Sequence, residues 1–173
     1  MKESYQDIVK KCADANEDFS IPNRDKTHAA FIIENLFKKA DSEMYIYTGG
    51  LYDGVYGHKS LEEEAIKFLK EKSNAKLKIA FQTPPTKEEI LKNDFIKALV
   101  SDESIKDKIT LYDASQLKLS KVNHFCVIDG KAYRYELDHE TRRAIANFGD
   151  RITADKLSSI FKIIIEESTV INL

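Results

Sequence analysis

Two strand-like runs joined by Asp129-Gly130 constrain the fold of this chain more than any other feature of its sequence. The first run, Phe125–Ile128, is apolar throughout, and the second covers residues 132–137. Asp-Gly between two such runs favours a β-hairpin, because the turn requires a positive φ that glycine adopts freely. Since side chains two residues apart lie on one face of a strand, Arg134 and Glu136 should share a face of the second strand. The sequence therefore predicts a sheet whose hairpin carries ionisable groups on one side.

Helix-like and strand-like segments alternate before the hairpin and predict an α/β protein. We expect one domain over residues 1–173, in which a mixed β-sheet is flanked by helices on both faces and residues 1–25 form an N-terminal helical extension. Residues 16–24 are predicted to form a loop, and Asp25 and Thr153 are candidate helix caps. Two capping-box sequences, Ser60-Leu-Glu-Glu63 and Thr86-Lys-Glu-Glu89, mark further helix starts. Helices are expected over residues 3–15 and 26–40, from Ser60, from Thr86 to about Val100, and over residues 139–147 and 154–167; strands are expected over residues 44–48, 76–81 and 108–112.

Composition narrows the classes of function. The formal net charge of -2 gives no general basic signature for nucleic-acid binding, although a local patch is compatible with it. Cys12 and Cys126 lie far apart without metal-ligand spacing, which favours a reduced, cytoplasmic protein. The N-terminus does not resemble a signal peptide, and no apolar run is long enough to cross a membrane. No zinc spacing joins the histidines, so neither a metal nor a cofactor is expected; they are His28, His58, His124 and His139.

A glycine-rich stretch follows the strand predicted at residues 44–48. Gly49-Gly50-Leu-Tyr-Asp-Gly54-Val-Tyr-Gly57 holds four of the six glycines in the chain. Such a stretch lets the backbone turn sharply or lets a ligand approach closely, and its amides could hold an anion. It lacks the spacing of a Walker or dinucleotide-binding loop. Gly49 and Gly50 are therefore candidate ligand contacts on general grounds alone.

The order of these elements, and several of their residues, resemble a single-repeat module of the phospholipase D superfamily. The likeness lies in Phe31-Ile-Ile-Glu-Asn-Leu-Phe-Lys-Lys-Ala40 with Met44-Tyr-Ile-Tyr-Thr-Gly-Gly, in Lys108-Ile-Thr-Leu-Tyr112, in Val122 to Lys131, and in Ala146-Asn-Phe-Gly-Asp150. The resemblance implies a phospholipase D-like half-domain. It also implies a homodimer in which each chain supplies half of one active site, and a setting such as nucleic-acid processing or phage and bacterial defence.

The chain departs from the signature of that superfamily, His-x-Lys-x4-Asp followed by Gly-Ser-x-Asn. Alignment on Asp129 places Val122 at the nucleophilic histidine and His124 at the phosphate-holding lysine. Tyr133-Arg-Tyr-Glu136 stands where Gly-Ser-x-Asn is expected. Because a valine side chain has no nucleophilic atom, the covalent phosphohistidine route has no starting point. We therefore expect the conventional phosphodiesterase chemistry to be lost.

Three hypotheses follow for function. In the first, the scaffold binds a phosphate-bearing ligand such as nucleic acid, or a protein partner, without cleaving it. Arg134 would be the anion contact, because its planar fork suits phosphate oxygens. Gly49, Gly50 and Asn147 would be further ligand contacts, although turn chemistry also accounts for Asn147.

The second hypothesis is an active, metal-independent phosphodiesterase or nuclease with a rearranged site at a homodimer interface. His124 would be the nucleophile or the acid/base, and Glu136 or Asp129 would orient it. The third is an unrelated interaction protein that shares only the α/β layers. Its tyrosines would suit an interface, but tyrosine also favours strands.

Overall fold

The computed structural model describes residues 3–51, 53–83, 85–119, 121–138, 140–141 and 143–173, apart from the side chain of Asp53. These residues form seven α-helices, eight β-strands and two short 3-10 helices at Lys106–Lys108 and Ser115–Leu117. The helices are α1 (Tyr5–Ala15), α2 (Lys26–Lys39), α3 (Asp53–Tyr56), α4 (Lys59–Glu71), α5 (Lys87–Lys92), α6 (Asp94–Val100) and α7 (Arg151–Glu166). The strands are β1 (Ile21–Asn23), β2 (Glu43–Thr48), β3 (Lys76–Phe81), β4 (Ile109–Asp113), β5 (Phe125–Ile128), β6 (Ala132–Glu136), β7 (Ala144–Asn147) and β8 (Thr169–Val170).

All eight strands belong to one open sheet with the order β1-β7-β6-β5-β2-β3-β4-β8. The central strands β2, β3 and β4 are parallel, and every other pair is antiparallel. The predicted hairpin joins β5 to β6. Asp129 and Gly130 both have positive φ, 49° and 61°, the signs of a type I′ turn. The Lys131 N–H closes that turn with a 2.8 Å hydrogen bond to the Ile128 carbonyl.

Helices cover both faces of the sheet, which confirms the predicted mixed α/β class. On one face α1, α2, α4 and α6 enclose the larger apolar cluster, which contains Ile32, Leu36 and Phe37. On the other face α7 packs its buried side chains on β2, β5 and β6. Tyr45 of β2 stacks on Phe161 of α7 with ring centroids 4.6 Å apart. The side chains of β2 and β5 are accordingly almost all buried, on both faces.

Local capping chemistry decides several helix starts. The Asp25 carboxylate accepts from the His28 N–H, and Thr86 forms the predicted capping box with Glu89. The predicted capping box at Ser60 is wrong, because α4 already begins at Lys59 and His58 precedes it without a side-chain cap. The predicted cap of the last helix is also wrong. Asp150 caps α7 by accepting from the Thr153 N–H, so the helix begins at Arg151.

Two predictions about the sheet edge are wrong. Part of the loop predicted at residues 16–24 is strand β1, and Ala144–Asn147, predicted as the end of a helix, is strand β7. The first part of that helix includes positions 139 and 142, which lie outside the described residues. Pro22 fits a strand here because β1 is an edge strand, where a missing N–H breaks no ladder on the open side. Ala144, Ala146 and Asn147 are buried, as a strand between two others requires.

The helix predicted from Thr86 to Val100 is two helices that meet at Asn93. The Asn93 N–H ends α5, and its side-chain oxygen accepts from the Ile96 N–H to begin α6.

Among the helices of the described residues, none is both long enough and apolar enough to cross a bilayer.

Candidate functional site

A small cavity of about 50 Å³ lies at the end of the sheet where β2 finishes, β5 begins and β6 finishes. Its walls come from those three strands, from α2 and from α3. Four of the predicted site residues line it: Gly50, His124, Arg134 and Glu136. The hairpin register explains this arrangement, because the Glu136 N–H donates to the His124 carbonyl and continues the β5–β6 ladder. Side chains at positions 124, 134 and 136 therefore emerge on one face.

The His124 ring lies between two oxygen acceptors. Its Nδ1 is 3.2 Å from the Glu136 Oε2, and its Nε2 is 2.9 Å from the Gln82 Oε1. The Gln82 amide nitrogen donates to the Leu119 carbonyl at 3.0 Å, which turns the amide oxygen towards His124. Both ring nitrogens thus face acceptors. In this arrangement neither nitrogen directs a lone pair at a substrate, as a nucleophile must.

Arg134 is buried beside this pair. Its Nε donates to the Asn23 Oδ1 at 2.6 Å, and its Nη1 is 3.5 Å from the Glu136 Oε1. Asn23 in turn donates to the Asp25 carbonyl at 2.8 Å, which fixes the orientation of its amide. Glu136 therefore uses one carboxylate oxygen for His124 and the other for Arg134. The site has two nitrogen donor groups arranged about one anion.

Burial controls the ionisation of the other polar groups at this cavity. It raises the pKa of the Tyr56 hydroxyl well above its ordinary value of 10.0 and that of the Cys126 thiol to about 11. Tyr56 and Cys126 contact each other, with 3.8 Å between oxygen and sulfur. Burial likewise raises the pKa of Tyr47 to about 12. These groups stay neutral near neutral pH, so they contribute weak dipoles and no charge to the cavity.

Four tyrosines of β2, the glycine-rich region and the hairpin are buried and so do not contribute to the exposed interface considered for an interaction protein. Tyr45, Tyr47, Tyr56 and Tyr133 are each buried, and Tyr52 lies outside the described residues. The rings of Tyr45, Tyr47 and Tyr56 contact core aromatic residues or His124. Strand formation and core packing account for these four tyrosines.

Asp129 lies at the other end of β5, roughly 16 Å along the strand from His124. Its carboxylate accepts from the backbone N–H groups of Asp41, Ser42 and Glu43 at 2.7, 2.9 and 2.8 Å. The Ser42 hydroxyl donates to the same carboxylate at 2.8 Å. The structure thus brings His124 and Glu136 together and places Asp129 where it fastens the hairpin turn to the start of β2.

Gly49 and Gly50 lie between the His124 cavity and a second cavity. Gly50 lines both, whereas Gly49 lines only the second, which has a volume of about 360 Å³ and lies beyond the carboxyl ends of β2 and β3. The Gly50 N–H donates to the Thr48 hydroxyl oxygen at 3.2 Å. That hydroxyl donates to the Gly50 carbonyl at 2.7 Å, so the loop is folded back on the strand end.

Asn147 lies apart from the cavity wall. Its amide nitrogen donates to Asp18, and its oxygen accepts from the N–H groups of Gly149 and Asp150, each at 2.8 Å. It therefore ties the α1–β1 connection to the start of α7.

Sequence reasoning missed Gln82 and Asn23, the two amides that orient His124 and Arg134. Gln82 directly follows a buried strand, and that position was the only available signal for it.

Groups of three or more histidine, cysteine or carboxylate side chains arranged to hold a metal ion are absent from the part of the chain that the structure describes. At the cavity, His124 and Glu136 are joined by an arginine and an amide, which is a poor donor set for a cation. The chemistry that this arrangement offers is anion recognition by donor groups.

No protein-family model matches the chain, and no curated protein sequence matches it. Solved structures do resemble it. TrmBL2, described as an archaeal chromatin protein with a novel mode of DNA binding, matches 95% of this chain with a TM-score of 0.60 and 16% identity. Phosphatidylserine synthase of Haemophilus influenzae Rd KW20 matches 88% of it with a TM-score of 0.53 and 9% identity. The chain spans 59% and 39% of the lengths of these two proteins.

At these identities the likeness concerns the fold alone. The synthase is a member of the phospholipase D superfamily, and this likeness supports a phospholipase D-like fold for the chain. Its open eight-stranded sheet with helices on both faces is consistent with the half-domain of that superfamily.

Proposed function

We propose that the chain is a phospholipase D-like domain that binds a phosphate group of a nucleic acid between His124 and Arg134 and does not cleave it. The observation that carries the proposal is the double contact of Glu136, at 3.2 Å to His124 and 3.5 Å to Arg134. A carboxylate held by two donor groups marks a position that suits the oxygens of another anion. The DNA-binding description of TrmBL2, a fold neighbour, supports nucleic acid as the source of that phosphate.

The loss of cleavage rests on two features. Val122 stands at the signature position of the nucleophile, and both nitrogens of His124 face acceptors. A ligand phosphate would enter by displacing the Glu136 carboxylate from His124 and Arg134, a step that needs no bond to break. A cytoplasmic location, and a role in nucleic-acid processing or phage and bacterial defence, belong to the same proposal. Cys12 and Cys126 are free and buried, which suits a reducing compartment.

The test is fluorescence anisotropy with labelled single-stranded DNA, double-stranded DNA and RNA over a range of salt concentrations. Glu136→Gln removes the competing charge and keeps the shape, so it should tighten binding by about tenfold, since a hydrogen bond to a charged group contributes about 1.5–3 kcal/mol. Arg134→Lys should weaken binding, because lysine lacks the planar fork. The matched controls are Glu63→Gln on α4 and Arg151→Lys on α7, which make the same substitutions at exposed positions. Neither control should change the affinity for nucleic acid.

The assignment is overturned if both cavity variants bind like the wild type, or if no nucleic acid binds to any of the proteins. The phosphate site would also be rejected if the chain bound only a protein partner and inorganic phosphate did not compete with that partner.

A second candidate, metal-independent phosphodiester cleavage at a homodimer interface, is favoured by one observation. His124 and Glu136 are paired as a general acid/base and its orienting carboxylate would be. It requires Gln82 to move away from the His124 Nε2. Incubation with a chromogenic phosphodiester in chelator tests it, and activity that survives His124→Ala would exclude it.

A further inference from the structure

The cavity of about 360 Å³ beyond β2 and β3, which we call the β3 cavity, lies where a ligand is expected. Open α/β sheets bind ligands in crevices outside the carboxyl ends of their strands, and β2 and β3 are parallel. The loop of residues 49–51 forms one wall, and α5 and α6 form the other. At about 30 Å³ per water molecule, the volume corresponds to about twelve waters, or to a ring system of about ten non-hydrogen atoms.

The walls of the β3 cavity are largely apolar and are fixed to each other. Phe81, Ile90 and Ile96 line the cavity, and each is buried. The Asn93 amide nitrogen donates to the Leu51 carbonyl at 3.0 Å, and its amide oxygen accepts from the Ile96 N–H at 2.9 Å. Asn93 therefore joins the loop to the two helices. A preformed apolar cavity favours a rigid aromatic ligand, because little conformational entropy is lost on binding.

Two exposed polar side chains, Thr83 and Glu89, give the β3 cavity its chemical preference. The Glu89 Oε2 accepts from the Thr86 N–H at 2.7 Å in the capping box, and this hydrogen bond lowers the pKa of the carboxyl. The Glu89 Oε1 accepts no hydrogen bond from the residues that the structure describes. Because a carboxylate has about four lone-pair positions, most of its acceptor capacity is open to a ligand.

The Glu89 carboxylate decides which part of a nucleotide suits this cavity. Its negative charge repels a phosphate group and favours neutral N–H donors. Guanine presents two adjacent donors on its Watson–Crick edge, the N1–H and the N2 amino group, which match the two oxygens of one carboxylate. Adenine and cytosine place an acceptor nitrogen beside their amino group, and thymine and uracil have no amino group. Guanine is therefore the base that fits best.

The β3 cavity and the His124 cavity are adjacent. Gly50 lines both of them, and β2 lies between β3 and β5 in the sheet. Two strand spacings, roughly 10 Å, therefore separate His124 from the end of β3. The sugar and base of about one or two nucleotides span such a distance. A base in the β3 cavity can thus belong to the same strand as a phosphate beside His124.

We propose that the β3 cavity holds an unpaired guanine of the nucleic-acid strand whose phosphate binds between His124 and Arg134. The inference rests on the proposed function and narrows its ligand to single-stranded nucleic acid. In a duplex the Watson–Crick edge of guanine is paired, so it has no donors left for Glu89. Unstacked bases of single strands are also the ones that proteins hydrogen-bond along this edge.

Fluorescence anisotropy with short labelled oligothymidylates tests the base assignment. Three probes differ at one central position, which carries thymine, guanine or hypoxanthine. The guanine probe should bind about tenfold more tightly than the thymine probe, because its donors meet a charged acceptor. Hypoxanthine lacks only the N2 amino group, so its probe should bind with an affinity between the two. A complementary strand should remove the preference for guanine.

Glu89→Gln is the matching change in the protein. Glutamine serves as well as glutamate at this position of a capping box, so the fold should be preserved. Its NH₂ group would face the donors of guanine, so the guanine and thymine probes should bind this variant about equally. The control is Glu88→Gln, which removes the same charge one residue earlier on α5, outside the cavity. This control should keep the preference for guanine.

Deoxyguanosine, which carries no phosphate, separates this inference from the phosphate site. Saturation-transfer NMR should detect its binding to the wild type and to Arg134→Lys, and weaker binding to Glu89→Gln. Equal affinity of the wild type for the guanine and thymine probes would overturn the guanine site, as would a preference that Glu89→Gln leaves intact. In either case, weaker binding of all probes to Arg134→Lys would still support the phosphate site. Binding of deoxyguanosine without binding of any oligonucleotide would overturn the phosphate site and support the guanine site.

Discussion

The Asp129 carboxylate should be among the strongest local determinants of stability in this domain. It accepts four hydrogen bonds from Asp41, Ser42 and Glu43, and its own N–H donates to the Glu43 carbonyl at 3.1 Å. Hydrogen bonds to a charged group contribute about 1.5–3 kcal/mol each, but bonds to one carboxylate are not additive. We therefore expect Asp129→Ala to lower the free energy of unfolding by about 3–4 kcal/mol, which includes about 1 kcal/mol for an alanine at positive φ.

Asp129→Asn separates these two contributions. Asparagine tolerates the left-handed conformation, so the backbone term disappears, but its NH₂ group faces backbone donors and at least one hydrogen bond is lost. We expect a loss of about 1.5–3 kcal/mol for this variant. Urea denaturation followed by circular dichroism measures both values. A loss below about 1 kcal/mol for Asp129→Ala would refute the reasoning, because it would mean that water replaces the carboxylate without cost.

Three further predictions concern the connection between β7 and α7 and the buried thiol of β5. Gly149→Ala should destabilise the fold by about 3 kcal/mol or more, because a Cβ there would lie 2.5 Å from the Asn16 carbonyl oxygen and 2.6 Å from the Glu17 carbonyl carbon; thermal denaturation measures the loss, and an unchanged midpoint would contradict it. Asp150→Ala should lower the free energy of unfolding by about 1–2 kcal/mol, as loss of the α7 N-cap requires, and urea titration against the conservative Asp150→Asn provides the comparison. Burial raises the pKa of Cys126 from 9.0 to about 11, so the unfolded chain loses this proton first and stability should fall by up to about 2–3 kcal/mol between pH 9 and 11. Cys126→Ala should remove that part of the alkaline loss, and equal pH slopes for both proteins would refute the assignment.

The sequence predicted the centre of the sheet well because its signals there are local. A few neighbouring residues are enough to predict the conformation of each element there. These elements are the apolar run of β5, the Asp129-Gly130 turn and the buried strands β2 and β3. The caps at Asp25 and Thr86 were equally local, since a side chain and the third residue after it suffice to begin a helix. The shared face of His124, Arg134 and Glu136 likewise follows from strand periodicity and hairpin register alone.

The edge of the sheet and the environment of the site could not be obtained in this way. Strand β1 has three residues, one of them a proline, and is a strand only because β7 lies beside it. The hydrogen bond between Arg134 and Asn23 joins residues 111 positions apart. Gln82 follows β3 and reaches His124 across the end of β2, the strand that lies between β3 and β5. Such contacts depend on strand order, which local periodicity does not encode.

The pairing of β1 with β7 has a consequence for synthesis on the ribosome. Ile21 pairs with Ala146 and Asn23 with Ala144, so about 120 residues must emerge before the first strand finds its partner. At ordinary elongation rates that interval is on the order of ten seconds. During this time β1 has no partner strand, and the apolar side of α1 has no sheet to pack on. The edge of β6 also stays unpaired until β7 has been made. We therefore expect the N-terminal segment to be accessible to chaperones, or to exchange between nascent chains, until β7 has been made.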